Sequence, residues 1–378
     1  MGTLLPLMRR RVRVCFCFNL LAISHRMPFM KTIMTLSPLL LLVLATSFAE
    51  AGKQFETVGS IEKTDPALDA LVPAGAKIEK VLTCCKWLEG PVWTHQGYLL
   101  FADIPGNRIL KWMPDGTLST FMQPSGYLGS QPFTGPESGS NGMTLDKLGR
   151  LTVAGHARRN VYRVEGYSEG AKVTVLADRY QGKRLNSPND LVYKSDGSLY
   201  FTDPPYGLPT QSDTDPQKEL DFNGVFRIRG ATSQKAGSAP DPGKLEPIIK
   251  DLTRPNGIAF SPDEKYLYIA VSDPAHKVWM RYDVKADGSV DNAKLLLDAT
   301  SAPGDGGPDG IKVDKKGNIY GAGPGGVWVI SPEGKHLGTF NIPERVANCN
   351  WGDDGKTLYI TASSSLYRIR LKVPGVRP

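Results

Sequence analysis

The sequence predicts an all-β chain folded as a six-bladed β-propeller, and three observations carry that prediction. A unit recurs six times, opening on a polar residue that is usually followed by a small one: Glu89-Gly90, Asn141-Gly142, Asn189-Asp190, Asn256-Gly257, Asp309-Gly310 and Asn348-Cys349. Turn glycines Gly97, Gly149, Gly197 and Gly317 each stand eight residues after their polar opening. A second apolar strand then returns in every copy, at 98–101, 151–153, 198–201, 266–269, 318–320 and 357–360. Turn, strand, turn, strand at a period of tens of residues marks a propeller or another β array rather than a helical solenoid. A β-sandwich does not explain a polar opening at a constant distance from its turn.

The copies are imperfect. The fourth has Asp263-Glu264-Lys265 at the turn, and the sixth has Gly355 one place early. A third strand often follows, at 108–112, 161–164, 224–228, 278–282, 326–330 and 366–369. Two insertions break the period, 124–140 and 207–223, and loops of such length are commonly lids or pocket walls, or else disordered. The stretch 231–243 has linker composition and reads as a surface excursion.

Before the repeats, residues 1–51 read as an N-terminal extension and a secretory signal peptide. Met30-Lys31 opens a short basic start, 39–44 is an apolar run too short to span a bilayer, and Ala49-Glu50-Ala51 reads as a cleavage site. The start is expected at Met27 or Met30, with a longer targeting segment as the rival reading. The mature protein is then expected in the periplasm, with no membrane attachment after cleavage. Residues 52–82 read as a polar lead-in segment without a site, and 83–378 as one propeller domain.

The leader distorts the charge. It holds six of the 45 basic residues (Arg9, Arg10, Arg11, Arg13, Arg26 and Lys31) and one of the 38 acidic ones, Glu50. The remainder carries 39 basic against 37 acidic residues, a net charge of +2 rather than +7. No basic stripe survives, so nucleic acid is not an expected partner. Cys84, Cys85 and Cys349 remain, an odd number for an oxidising compartment, with no zinc-site spacing. Either Cys349 pairs with Cys84 or Cys85, or it is free and buried.

In a propeller the first strand of each blade lines the central channel, so the six polar openings are expected to meet as a ring at one mouth. Glu89, Asn141, Asn189, Asn256, Asp309 and Asn348 supply two carboxylates and four amides, with no Lys or Arg among them. Two carboxylates confined together repel and are costly to desolvate. A divalent cation relieves both problems, and carboxylate and amide oxygens suit a hard one. The alternative is that the Asn residues are turn formers, which leaves Glu and Asp in the same register unexplained. Calcium is the first expectation, with magnesium, manganese or exchangeable zinc as alternatives; the lack of His and thiolate disfavours a tightly held zinc.

Here the residues carry a resemblance. Glu89-Gly-Pro-Val-Trp93, Asn186-Ser-Pro-Asn-Asp190, Phe201-Thr-Asp-Pro-Pro-Tyr-Gly207, Lys218-Glu-Leu-Asp-Phe222, Arg254-Pro-Asn-Gly257 and Pro308-Asp-Gly310 resemble the SMP-30/gluconolactonase family of metal-dependent lactonases. Pro124-Ser-Gly-Tyr127, His156-Ala-Arg-Arg159 and Asn348-Cys349 resemble its bacterial branch. The resemblance implies a six-bladed propeller and direct metal ligation by Glu89, Asn256 and Asp309. It implies that Asn189 lies beside the metal and touches substrate or water, and that Asp309 is the general base. Two departures stand out. A sugar-contacting Arg of the animal branch falls at Ser187, with Arg184 as a possible substitute, and the His-Gly-x-Arg-Arg pattern lacks its second Arg at Asn160.

The expected reaction is hydrolysis of a small-molecule lactone such as glucono-1,5-lactone. The metal would polarise the carbonyl, and Asp309 or a water that it orients would supply the base. Asn141, His156, Arg184, Asn189 and Asn348 are the candidate substrate contacts, with a purely structural role open for His156. His95, His276 and His336 are expected at the surface. No Gly-x-Ser-x-Gly elbow is present. Hydrolysis of another lactone, ester or organophosphate, and a non-catalytic metal-binding propeller, are the competing functions.

Overall fold

The computed structural model describes residues 55–377, so the leader reading lies outside the described residues. Six sheets form the blades. Their innermost strands are Leu88–Trp93, Met143–Leu145, Leu191–Tyr193, Pro255–Phe260, Ile311–Val313 and Val346–Gly352. Each contacts the next, and the sixth returns to the first, closing a ring. The chain is thus the six-bladed propeller that the repeats predict. Among the described residues, no helix is long and apolar enough to cross a membrane.

The core is divided as the blades are. Six clusters of buried apolar side chains lie one at each junction between neighbouring blades. The return strands show why they read as continuous apolar runs. Successive side chains of a strand point to opposite faces. Leu99 and Phe101 therefore join the junction with blade six, while Leu100 and Ala102 join the junction with blade two. Leu267 and Ile269 likewise face blade three, and Tyr268 and Ala270 face blade five.

Residues 52–82 differ from expectation. Ile78–Thr83 is the fourth strand of blade six, antiparallel to Ser365–Arg370, with Lys80 opposite Tyr367. Glu56–Val58 pairs outside it, and Ser60–Lys63 adds a fifth strand to blade five. Leu68 and Leu71 are buried between those two blades. The outermost strands are half solvated, so they lack the long apolar run of a central strand, and their sequence reads as polar.

The cysteines resolve into a Cys84–Cys85 disulfide and a free, buried Cys349. Pairing of Cys349 with either partner is excluded by the sheet. Cys349 is on the innermost strand of blade six, and Cys84 follows the fourth. Three inter-strand steps span roughly 14 Å, about twice what a disulfide bridges.

Glu344 pins this closure. Its carboxylate accepts from the Ser365 hydroxyl at 2.5 Å, the Tyr367 hydroxyl at 2.7 Å and the Ser364 N–H at 2.9 Å, and Lys80 of the N-terminal strand lies 3.3 Å away. Against the cost of burial, these donors pull its pKa down to about 2. A depressed carboxylate stabilises the fold above its unfolded value near 4.5, and that stability is lost as pH falls toward 2. Glu344→Gln is therefore expected to cost about 1–3 kcal/mol at pH 7. In denaturant titrations the deficit should shrink as pH drops from about 5 toward 2.

Candidate active site

Each polar opening interrupts the regular ladder of its blade. The register shifts between Glu89 and Val92, between Pro255 and Ile258, and between Val346 and Asn348. In the other three blades, pairing starts at Met143, Leu191 and Ile311, two residues beyond the polar one. Bulged residues leave the pleat and can be re-aimed. Here five of the six polar residues line a cavity of about 330 Å³ at one mouth of the channel.

In four of the six blades the residue after the polar opening is a glycine, for a steric reason. A Cβ at Gly90, held at a φ of 49°, would stand 2.5 Å from the Asn141 carbonyl oxygen. One at Gly142 would stand 2.6 Å from that of Asn189, and side chains at Gly257 and Gly310 would strike Asp309 and Asn348. The small residue lets neighbouring blades bring their polar side chains together.

Glu89, Asn141, Asn189, Asn256 and Asp309 all line the cavity. Asn348 stands behind it, where its amide N–H₂ donates to Glu89 Oε2 at 3.0 Å. That oxygen also accepts from the Gly90 N–H at 2.7 Å. Asn256 donates its N–H₂ to Ser272 Oγ at 3.2 Å, which leaves its carbonyl facing inward, and Tyr206 braces Ser272 at 2.7 Å. Oδ1 of Asn141, Asn256 and Asp309 are buried without a hydrogen-bond partner.

Burial, followed by the charge of Asp190, pushes the Glu89 carboxyl up to about 7, against the pull of the Gly90 and Asn348 donors. Burial, then the charge of Glu89, holds Asp309 well above the usual carboxylate range. The ring is nevertheless not without cations. Lys312 Nζ lies 3.2 Å from Asp190 Oδ2 and 3.4 Å from Asn348 Oδ1, and Arg345 sits on the cavity wall. Neither contact was legible, because Lys312 reaches the ring from within an inner strand and Arg345 from a loop. Unpartnered oxygens and desolvated carboxylates suit a hard divalent cation. Among the described residues there is no group of three or more His, Cys, Asp and Glu that could hold a metal, so such a site leans on the amides.

The other expected contacts divide differently. His156 is fully buried and does not line the cavity; its Nε2 is 2.7 Å from Glu137 Oε2. Arg184 lies outside the cavity on a two-stranded ribbon, where its N–H donates to Glu219 at 2.7 Å. The ribbon spends its backbone N–H on Glu219 and directs its guanidinium to the Arg158 carbonyl instead. Ser187 is also fully buried, spent on the Pro204 carbonyl and the Gly207 N–H. The guanidinium in the cavity is that of Arg345, 5.6 Å over the Trp87 ring. His95 and His276 are exposed as expected. His336 is half-buried and stacked on Trp328 at 4.0 Å, and burial lowers its pKa.

Sequence reasoning missed Glu137, Gln211, Arg345 and Trp87. The first two fall in the insertions read as candidate pocket walls, and both insertions do supply wall. The first is pinned rather than loose. Asn107 Oδ1 accepts from the Ser125 and Gly126 N–H groups at 3.1 and 2.7 Å, and Tyr127 N–H donates to Ser138 O at 2.7 Å.

Fold and cavity define a six-bladed propeller with a polar, oxygen-lined pocket at one mouth of its channel. The chain belongs to the SMP-30/gluconolactonase/LRE-like family, whose profile matches residues 87–364. It is 40% identical over 344 residues to a gluconolactonase of Zymomonas mobilis, covering 87% of this chain and 92% of that one. It is 36% identical to a 6-deoxy-6-sulfogluconolactonase of Pseudomonas putida, over 73% of this chain and 82% of that one. A solved gluconolactonase of Xanthomonas campestris superposes with a TM-score of 0.69 at 28% identity, covering 84% of this chain and 97% of the other.

Two outcomes are expected of the ring. Gly310→Ala should displace the Asn348 amide, lower stability by about 1–3 kcal/mol and weaken any cation's effect on the melting temperature. Glu89→Gln should abolish a cation-induced rise in melting temperature, which in the wild type corresponds to about 2.7 kcal/mol at a hundredfold excess over Kd. Differential scanning fluorimetry with calcium titration reads both.

Proposed function

We propose that the protein is a metal-dependent lactonase that opens a small sugar lactone, such as glucono-1,5-lactone, to its aldonic acid. Lactone hydrolysis is supported by the family and by relatives named gluconolactonase and 6-deoxy-6-sulfogluconolactonase. The observation that carries the metal reading is the convergence of the Asn141, Asn256 and Asp309 oxygens, without partners, on the cavity that Glu89 also lines. A volume of about 330 Å³ is at the small end of ligand pockets, which run about 300–1,000 Å³. That size favours a single-ring substrate over a large ester.

Glu89, Asn256 and Asp309 would hold the cation, with Asn189 beside them, and the oxygen-only donor set favours calcium. When bound, the ion supplies Lewis-acid polarisation of the lactone carbonyl. Asn348 fixes the Glu89 carboxylate by its 3.0 Å hydrogen bond, and Ser272 fixes which face of the Asn256 amide is offered. Asp309 and Asn189 orient the attacking water. Arg345, Gln211 and Tyr206 offer hydrogen bonds to the sugar hydroxyls, and Trp87 offers an apolar face. Residues 1–51 would export the chain, and the Cys84–Cys85 disulfide supports an oxidising destination; cell fractionation tests this.

Assays on glucono-1,5-lactone, corrected for spontaneous opening, should show activity that a chelator abolishes and calcium restores. Asp309→Asn should lower kcat/KM by at least about 10²-fold; equal rates for variant and wild type on every lactone would sink the catalytic reading. Burial holds Glu89 protonated up to about pH 7, and the cation needs its carboxylate. Calcium affinity measured by calorimetry should therefore rise as pH climbs from 6 to 8, with protons released on binding in the lower part of that range.

A further inference from the structure

One titratable pair, the partly exposed Glu137 and the buried His156, lies outside the six residues of the oxygen ring. Glu137 stands on the cavity wall, and its Oε2 is 2.7 Å from His156 Nε2. The imidazole is fully buried, and its Nδ1 lies 3.4 Å from the Pro188 carbonyl oxygen. A Cβ added at Gly207 would stand 2.8 Å from that ring and 2.7 Å from Ser187, so the ring is enclosed on the side of the second insertion. His156 therefore meets the cavity only through Glu137. The other Glu137 oxygen, Oε1, accepts no hydrogen bond among the described residues.

The loop that carries Glu137 is built to hold it. Ser140 N–H donates to Ser125 Oγ at 3.1 Å, Tyr127 N–H donates to Ser138 O, and Ala157 N–H reaches Gly139 O at 3.3 Å. The last bond ties the loop to the short 3₁₀ turn His156–Arg158, so acid and imidazole are positioned by neighbouring backbone. A carboxylate oxygen that ligates a cation has its lone pair engaged there, whereas Glu137 Oε1 is left free to accept a proton from a water within hydrogen-bond reach. An imidazole hydrogen-bonded behind a carboxylate orients it, the triad logic with the roles of acid and imidazole exchanged.

We infer that Glu137 is the general base of the hydrolysis, with His156 as its positioning residue; the inference rests on the lactonase reading. Glu137 Oε1 takes a proton from the attacking water as the water oxygen bonds to the lactone carbonyl carbon. The carbonyl π pair moves to its oxygen. The carbonyl then re-forms, the ring C–O bond breaks, and the departing ring oxygen takes the proton back from Glu137. One water is consumed, one hydroxy acid is formed, and Glu137 is regenerated. Asp309 keeps its roles as ligand and water orienter.

The test uses the calcium-loaded mature protein on glucono-1,5-lactone. Glu137→Gln should lower kcat by about 10²–10⁴-fold, with KM, calcium affinity and melting temperature close to wild type. Glu137→Ala should be partly restored by added formate. His156→Gln should lower kcat less, again without raising KM. A loss expressed in KM alone and not rescued by formate would overturn the inference and make Glu137 a hydroxyl-binding group. Wild-type kcat in Glu137→Gln would overturn it too. A wild-type enzyme inert on every lactone would instead overturn the lactonase reading, and this inference with it.

Discussion

Each blade is apolar on both faces, and that fact makes closure the constraint on which the rest depends. A four-stranded sheet with Leu99 and Phe101 on one face and Leu100 and Ala102 on the other cannot leave either face to water. Each blade needs two neighbours, and six blades meet the requirement only as a ring. The channel follows from closure. The inner strands are drawn together until backbones nearly touch, and glycine is the residue that survives at Gly90, Gly142, Gly257 and Gly310. Polar side chains one position earlier are then forced toward a common point.

Such a point is electrostatically expensive. Glu89 and Asp309 are desolvated together; the charge of Asp190 raises the proton affinity of Glu89, and that of Glu89 raises the proton affinity of Asp309. Asp190, paired with Lys312 one layer down, adds a third negative group. The protein leaves this imbalance in place rather than filling the channel with apolar side chains. Buried carboxylates perturbed in this way mark a candidate functional site, and their oxygens are of the kind that suits a hard cation.

Much of this was legible. The blades were, because a central strand buried on two faces has an unmistakable run such as Tyr266-Leu-Tyr-Ile269. Five of the six ring residues line one cavity, since their register is fixed by the same repeat that fixes the fold. The sixth, Asn348, was found but serves Glu89 from behind. The outer strands at 56–83 were missed because outer, half-solvated strands carry little apolar pattern. Arg345, Trp87 and Glu137 were missed for another reason. Their positions depend on loops whose course is set by remote hydrogen bonds, such as those of Asn107, and no local spacing encodes that. Arg184 misled because a basic residue near a motif says nothing about which way its ribbon faces.

The pairing of Ile78–Thr83 with Ser365–Arg370 has a kinetic consequence. Glu79 and Arg368, 289 positions apart, must meet at 2.7 Å before the last blade is whole. Loop-closure entropy must be met before the contacts that reward it form, which makes such topologies slow to fold. The strand synthesised early waits for the strand synthesised last. Until they join, the ring is an open arc with two unpaired sheet edges, and loss of either strand reopens the same blade.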